Sequence, residues 1–168
     1  MSAAASVVVR PAEPRDRDAL GRLGALLLKI HYAFDRDRFL APGPHAAEGY
    51  GAFLASEQHD DDVVVLVAER GGEVVGYTYA GVEPKSWKEL RDVAGFIHDV
   101  VVAEDARGAG VGSRLVEAAA AWLADRGVAR VMLWTAERND GAQRLFARLG
   151  FRRTMIEMTR EVPAKRRD

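Results

Sequence analysis

The chain has 168 residues, 48% of them hydrophobic, with 24 basic and 25 acidic side chains and a formal charge of −1. That length supports one sizeable core, and the near-neutral charge gives no global field that would draw the protein to nucleic acid or a membrane. Cysteine is absent, which excludes a disulfide framework, a thiolate zinc site and an acyl-cysteine intermediate, so direct transfer between two bound substrates is the default for acyl chemistry.

Val7 to Arg10 is predicted as a short strand. From about Arg15 to His31, Leu20, Leu23, Leu27 and Ile30 recur at helical spacing and form one apolar stripe, and a second helix is expected from His45 to Gln58. The runs Val63 to Arg70 and Glu73 to Val82 flank Gly71-Gly72, a dipeptide that accepts the positive φ of a tight hairpin turn, so they are predicted as antiparallel strands. After a loop containing Trp87, the β-branched run Gly95 to Ala103 is expected to be a central strand. A helix from Val111 to Arg126, a strand from Val128 to Thr135, a helix from Asp140 to Leu149 and one or two closing strands from Phe151 follow. Antiparallel strands followed by β-α-β-α-β predict an α/β fold with a mixed sheet flanked by helices, its chemistry where the parallel part begins.

No internal repeat or linker divides residues 1–168, so a single domain is expected. The longest apolar runs, Val63 to Ala68 and Ala118 to Ala124, are too short to span a bilayer. No signal-peptide core precedes Arg10, and a soluble cytoplasmic protein is expected.

The chemistry-bearing stretch is Arg107-Gly108-Ala109-Gly110-Val111-Gly112-Ser113, between the central strand and the next helix. Glycines let backbone N–H groups approach pyrophosphate oxygens, the helix N-terminus adds partial positive charge, and Arg107 can add a full one. The same residues also fit a strand-to-helix turn without a ligand. A Walker loop is excluded because Ser113-Arg114 follows Gly112, and a dinucleotide fingerprint fails because Ser113 stands at its last glycine.

The loop resembles the acetyl-CoA loop of the GNAT superfamily of acetyltransferases, Gln/Arg-x-x-Gly-x-Gly/Ala, with Arg107, Gly110 and Gly112 matching and Val102 where the family usually has valine. A second stretch, Asn139 to Phe151, resembles that family's Asn-x-x-Ala-x-x-Leu-Tyr-x-x-x-Gly-Phe. Physically, Asn139 can cap the helix, Ala142 and Phe146 share one face and Gly150 can end it. On its own that stretch also reads as an ordinary amphipathic helix. The resemblance covers roughly Val63 to Val162 and implies a GNAT-like fold with six or seven strands and about four helices. It implies acetyl-CoA as co-substrate, with pantetheine hydrogen-bonded along Val100, Val101 and Val102, pyrophosphate held from Arg107 to Ser113, and Asn139, Ala142 and Phe146 beside the cofactor.

Acetylating an ammonium requires a base, because its ordinary pKa is about 10. Phe96-Ile97-His98-Asp99-Val100 offers two neighbours that should point to opposite faces of a strand. In the spermidine/spermine acetyltransferase branch, which this stretch resembles, a glutamate stands where His98 falls, so His98 is the preferred base and Asp99 the reserve. The family's usual acid is a tyrosine where this chain has Phe146, which cannot donate a proton; Tyr32, Tyr77, Tyr79, water or the substrate ammonium remain as sources.

By the same resemblance, the first helices and the loop before the central strand form the acceptor pocket, which singles out Tyr32, Asp35, Arg38, Phe39 and Trp87. Asp35 or Asp37 can pair with an amine and Arg38 with a carboxylate, although the stretch also reads as a solvated charged turn. Asp60-Asp61-Asp62 beside His59 reads as a solvated loop, and the basic tail Lys165-Arg166-Arg167 is too short to argue for nucleic acid, so neither a metal nor a nucleic-acid partner is expected. The expected function is acetyl transfer from acetyl-CoA to a primary amine of a small molecule, peptide or protein. The alternative is a non-catalytic acyl-CoA-binding sensor, and a homodimer is expected from the family.

Overall fold

The computed structural model describes residues 6–163. The strand β1 (Val7–Pro11) leads into two helices, α1 (Arg17–Phe34) and α2 (Ala46–Glu57). The strands β2 (Val63–Arg70), β3 (Glu73–Glu83) and β4 (Ala94–Val102) come next, followed by α3 (Val111–Ala124), β5 (Val131–Leu133) and α4 (Asp140–Arg148). The five strands form one sheet in the order β1-β2-β3-β4-β5. The first three pairings are antiparallel and the last, β4 with β5, is parallel.

Alternation along β2 builds two cores, because successive side chains leave a strand on opposite faces. Val65 and Val67 pack with Leu20 and Leu23 of α1, Leu54 of α2, and Tyr77, Tyr79 and Val101. Val64 and Leu66 pack on the other face with Ile97, with Val116, Ala119 and Leu123 of α3, and with Phe146 of α4. The leucine spacing of α1 therefore turns one stripe inward, and each such leucine contributes about 1.5–3 kcal/mol on burial. Gly71 and Gly72 both take positive φ in the β2–β3 hairpin, at 60° and 87°.

The sheet has five strands rather than the six or seven expected. No described residue from Phe151 onward is in a strand, and Met155, Ile156, Met158 and Val162 are exposed. A strand signal needs one buried face, and here the apolar Met155 and Ile156 are adjacent rather than alternating. Among these described residues only Phe151 returns to the core, its ring 5.9 Å from that of Phe146. The strand expected from Val128 to Thr135 shortens to three residues, pairing only Gly95 with Val131, Phe96 with Met132 and Ile97 with Leu133. Beyond Ile97, β4 has no pairing partner on its β5 side among the described residues. The tail Lys165-Arg166-Arg167 lies outside the described residues.

Candidate functional site

The opening of the sheet between β4 and β5 is continuous with a cleft of about 400 Å3. Ile97, His98, Asp99 and Val100 of β4 line one side, with Leu133, Trp134 and Thr135 beyond them. Asn139, Ala142 and Phe146 close it from α4, and Leu27, Leu28, His31, Arg38, Phe39 and Leu40 from the α1 side.

A β-bulge sets the polar end. Opposite β3, Tyr79 pairs with Asp99 and Ala80 with Ile97, so His98 is the extra residue. The bulge interrupts the alternation, and the two neighbours do not point to opposite faces. Tyr77 and Tyr79, two residues apart on β3, share a face; His98 stacks on the Tyr79 ring with centroids 4.7 Å apart, while Asp99 accepts a hydrogen bond from the Tyr77 hydroxyl at 3.0 Å. Both ionisable groups therefore sit on the α1–α2 side of the sheet.

Asp99 is held from two elements. The Tyr50 hydroxyl of α2 donates to the same carboxylate oxygen at 2.7 Å. Burial pushes the Asp99 carboxyl above its ordinary value, against the opposing pull of the Tyr50 and Tyr77 hydrogen bonds. The Tyr50 and Tyr77 hydroxyls are driven upward by burial first and by the Asp99 charge second, which makes both poor acids. Tyr79 donates to Glu57 at 2.5 Å, and burial followed by that bond raises it as well.

His98 lies between the rings of Tyr79 and Phe96, the latter centroid 5.0 Å away, and its Nε2 is 3.2 Å from Glu83 Oε1. With Nε2–H directed at that carboxylate, the neutral ring carries its lone pair on Nδ1. A second histidine, His31, lines the cleft from the last turn of α1. Its Nδ1 is 3.0 Å from the Leu27 carbonyl; a carbonyl only accepts, so Nδ1 carries the hydrogen and Nε2 the lone pair.

At the other end of β4, Gly108 and Gly110 adopt φ of 78° and 76°, and a Cβ on either would meet no atom within 4 Å. Gly110 caps α3, whose first intrahelical bond runs from Arg114 N–H to the Gly110 carbonyl at 3.1 Å. The N–H groups of Val111, Gly112 and Ser113 thus lack intrahelical acceptors, a donor set suited to an anion. Arg107 is exposed and its Nε donates to the Val102 carbonyl at 3.1 Å, tying the loop to the strand end. Val101 and Val111 have buried side chains, so only their backbones are available to a ligand. The donors, the left-handed glycines and the unpaired β4 edge fit a pyrophosphate with an amide-bearing arm, the chemistry of CoA.

On α4, the Asn139 carboxamide accepts from Ala142 N–H at 3.1 Å, so this side chain caps the helix. Ala142 and Phe146 share the cleft-facing side, and Phe146 is buried. The acceptor-side residues divide. Phe39 and Arg38 line the cleft. Asp35 is a turn former, its carboxylate accepting the N–H groups of Asp37 and Arg38 at 3.1 and 3.2 Å. Tyr32 lies under the Arg36 guanidinium, 5.7 Å from its ring centroid, and Trp87 is exposed beside Lys85; neither lines the cleft.

A model of the Acetyltransferase (GNAT) family matches residues 28–151. The chain belongs to the GNAT acetyltransferase family. It is 34% identical over 158 residues to mycothiol acetyltransferase of Cellulomonas flavigena, covering 90% of this chain and 42% of that protein. The chain thus spans less than half the length of that relative. Among solved structures, a Bacillus halodurans C-125 protein described as a transcriptional regulator superposes with a TM-score of 0.73 at 25% identity, covering 94% of this chain and all of that one. An aminoglycoside N-acetyltransferase solved with CoA gives a TM-score of 0.74 at 15% identity, covering 98% of this chain and 99% of that chain, a likeness of fold.

Within this GNAT fold, sequence reasoning missed Tyr50, Glu83, His31 and Trp134. Tyr50 meets β4 only through tertiary packing and Glu83 through the β3–β4 register that sets it opposite Ala94, and nothing in their local sequence marks them. His31 carried a usable signal, an imidazole at the end of an apolar helical stripe.

Proposed function

We propose that this chain transfers the acetyl group of acetyl-CoA directly to a primary amine. The observation that carries this reading is the opening between β4 and β5, with an anion-suited loop at one end and the His98 and Asp99 pair at the other. In this reading the N–H groups from Gly108 to Ser113 and Arg107 hold the pyrophosphate. The unpaired edge at Val100 to Val102 receives the pantetheine amides, and the small Ala142 leaves room for the thioester beside Phe146.

His98 is the base. Its lone pair at Nδ1 accepts the proton that the acceptor ammonium must lose, while Glu83 balances the imidazolium. The amine nitrogen then bonds to the thioester carbon, the carbon–sulfur bond breaks, the thiolate takes the proton back from the imidazolium, and the second proton on the nitrogen leaves to solvent as the amide forms. Phe146 has no proton to give, and the tyrosines near the site are tied to carboxylates with raised pKa values. One group accepting and returning the proton removes the need for a tyrosine acid. Asp99, held by the Tyr50 and Tyr77 hydroxyls and pushed toward its neutral form by burial, remains the second candidate base.

Relatives are named for different acceptors, mycothiol chemistry in one and aminoglycosides in another, and supply no common acceptor. The test combines two measurements on the purified chain: thermal stabilisation by CoA, and thiol release from acetyl-CoA with an amine panel. Stabilisation with amine-dependent thiol release is expected. Stabilisation without release would favour an acyl-CoA sensor.

A further inference from the structure

Resting on that reading, we propose that the acceptor is a hydrophobic amine with one cationic nitrogen and no carboxylate or phosphate. The walls of the acceptor end are largely apolar: Leu27 and Leu28 from α1, and Phe39 and Leu40 from the segment after it, with His31 the uncharged polar side chain among them. Leu40 and Trp134 stand at the cleft while 77% and 72% exposed. Isolated exposed apolar side chains are ordinary, but two on an apolar cleft offer cover to an apolar ligand.

The fixed charges decide the rest. Among the described residues lining the cleft, Arg38 is the one guanidinium, and both its Nε and Nη2 donate to the Glu157 carboxylate, the latter at 2.9 Å. An anionic substituent on the acceptor would have to compete with Glu157 for this partly exposed guanidinium or stand uncompensated near Asp99. A second ammonium is equally unsupported. Asp99 is the one carboxylate lining the cleft among the described residues, and nearby Asp35 has its oxygen engaged by two backbone N–H groups. With Glu83 already engaged by His98, one carboxyl among largely apolar walls selects a monocation with an apolar body.

The experiment compares kcat/KM for phenethylamine, phenylalanine, spermidine and glucosamine with the full chain and acetyl-CoA. Phenethylamine is expected to exceed each of the others by about tenfold or more. Glu157→Gln releases Arg38, so phenylalanine should gain about threefold or more through a lower KM, with less change for phenethylamine. Turnover that favours phenylalanine, spermidine or glucosamine overturns the acceptor class alone, as does a Glu157→Gln variant with an unchanged phenethylamine-to-phenylalanine ratio. No acetylation of any of the four amines overturns the transfer reading itself and this inference with it.

Discussion

Tyr50 donates its hydroxyl hydrogen to Asp99 at 2.7 Å across 49 residues of sequence, joining α2 to the bulged strand β4. The contact depends on a missing side chain, because a Cβ on Gly24 of α1 would fall 2.1 Å from Tyr50 Cδ1. Helix packing thus delivers a phenol to a carboxylate that burial alone would leave still harder to ionise.

Tyr50→Phe should raise the Asp99 pKa further, since one of two stabilising hydrogen bonds to the anion is lost. A carboxyl raised in the fold stays protonated longer than in the unfolded chain, so its contribution is fully present below the unfolded value of 3.8 and is lost as pH rises through the folded value. The variant should extend that window upward and cost about 1–2 kcal/mol at neutral pH. Carboxyl-carbon NMR titration measures the shift, and an unmoved Asp99 would remove Tyr50 from this role.

Asp16 shows the opposite sign. Its buried carboxylate accepts from Arg10 at 2.7 and 3.0 Å, and that pairing, ahead of the opposing effect of burial, holds it below its ordinary 3.8. The stabilisation is present above 3.8 and is lost as pH falls through the lower folded value. Asp16→Asn should cost about 2–4 kcal/mol at pH 7 and flatten the acid side of the stability curve, read by urea unfolding from pH 7 down to about 3. A variant with an unchanged acid slope would separate Asp16 from acid unfolding.

Gly110→Val puts a β-branched residue at φ 76°, a conformation costing about 1–3 kcal/mol for such a side chain. The loop is exposed, so the fold should survive while the N–H donors of Val111 to Ser113 move. Expected is a rise in the acetyl-CoA KM of about tenfold or more, with far-UV circular dichroism unchanged. An unaltered KM would detach the loop from the pyrophosphate.

His98→Ala should lower kcat/KM by about 100-fold or more in initial-rate measurements with acetyl-CoA and amine. Glu83→Gln keeps the ring but removes its carboxylate partner, so a smaller loss is expected. A His98→Ala enzyme with wild-type rate would transfer the role to Asp99.

Much of this was legible in the sequence because it is periodic or locally coded. The α1 stripe through Leu20 and Leu23, the Gly71-Gly72 hairpin, the loop ending at Gly112 and the Asn139 cap all depend on neighbours within a few residues. The bulge was not, because an extra residue in β4 is defined only against its partner β3, and without it His98 and Asp99 read as facing apart. Tyr50 and the Arg38 to Glu157 pair join segments far apart in the chain, and Glu83 reaches His98 only through the β3–β4 register. The closing strands failed for the converse reason: the described residues after Phe151 have strand-forming composition but bury no face.

Direct transfer is tested with acetyl-CoA carrying carbon-13 in the acetyl carbonyl. The full chain is incubated with it and a pool of phenethylamine, spermidine, glucosamine and a lysine peptide, and amines and intact protein are weighed by mass spectrometry. The predicted result is label in an amide product, equimolar with released CoA thiol and absent from the protein. Label retained on the chain, or none transferred while CoA still binds, would contradict it.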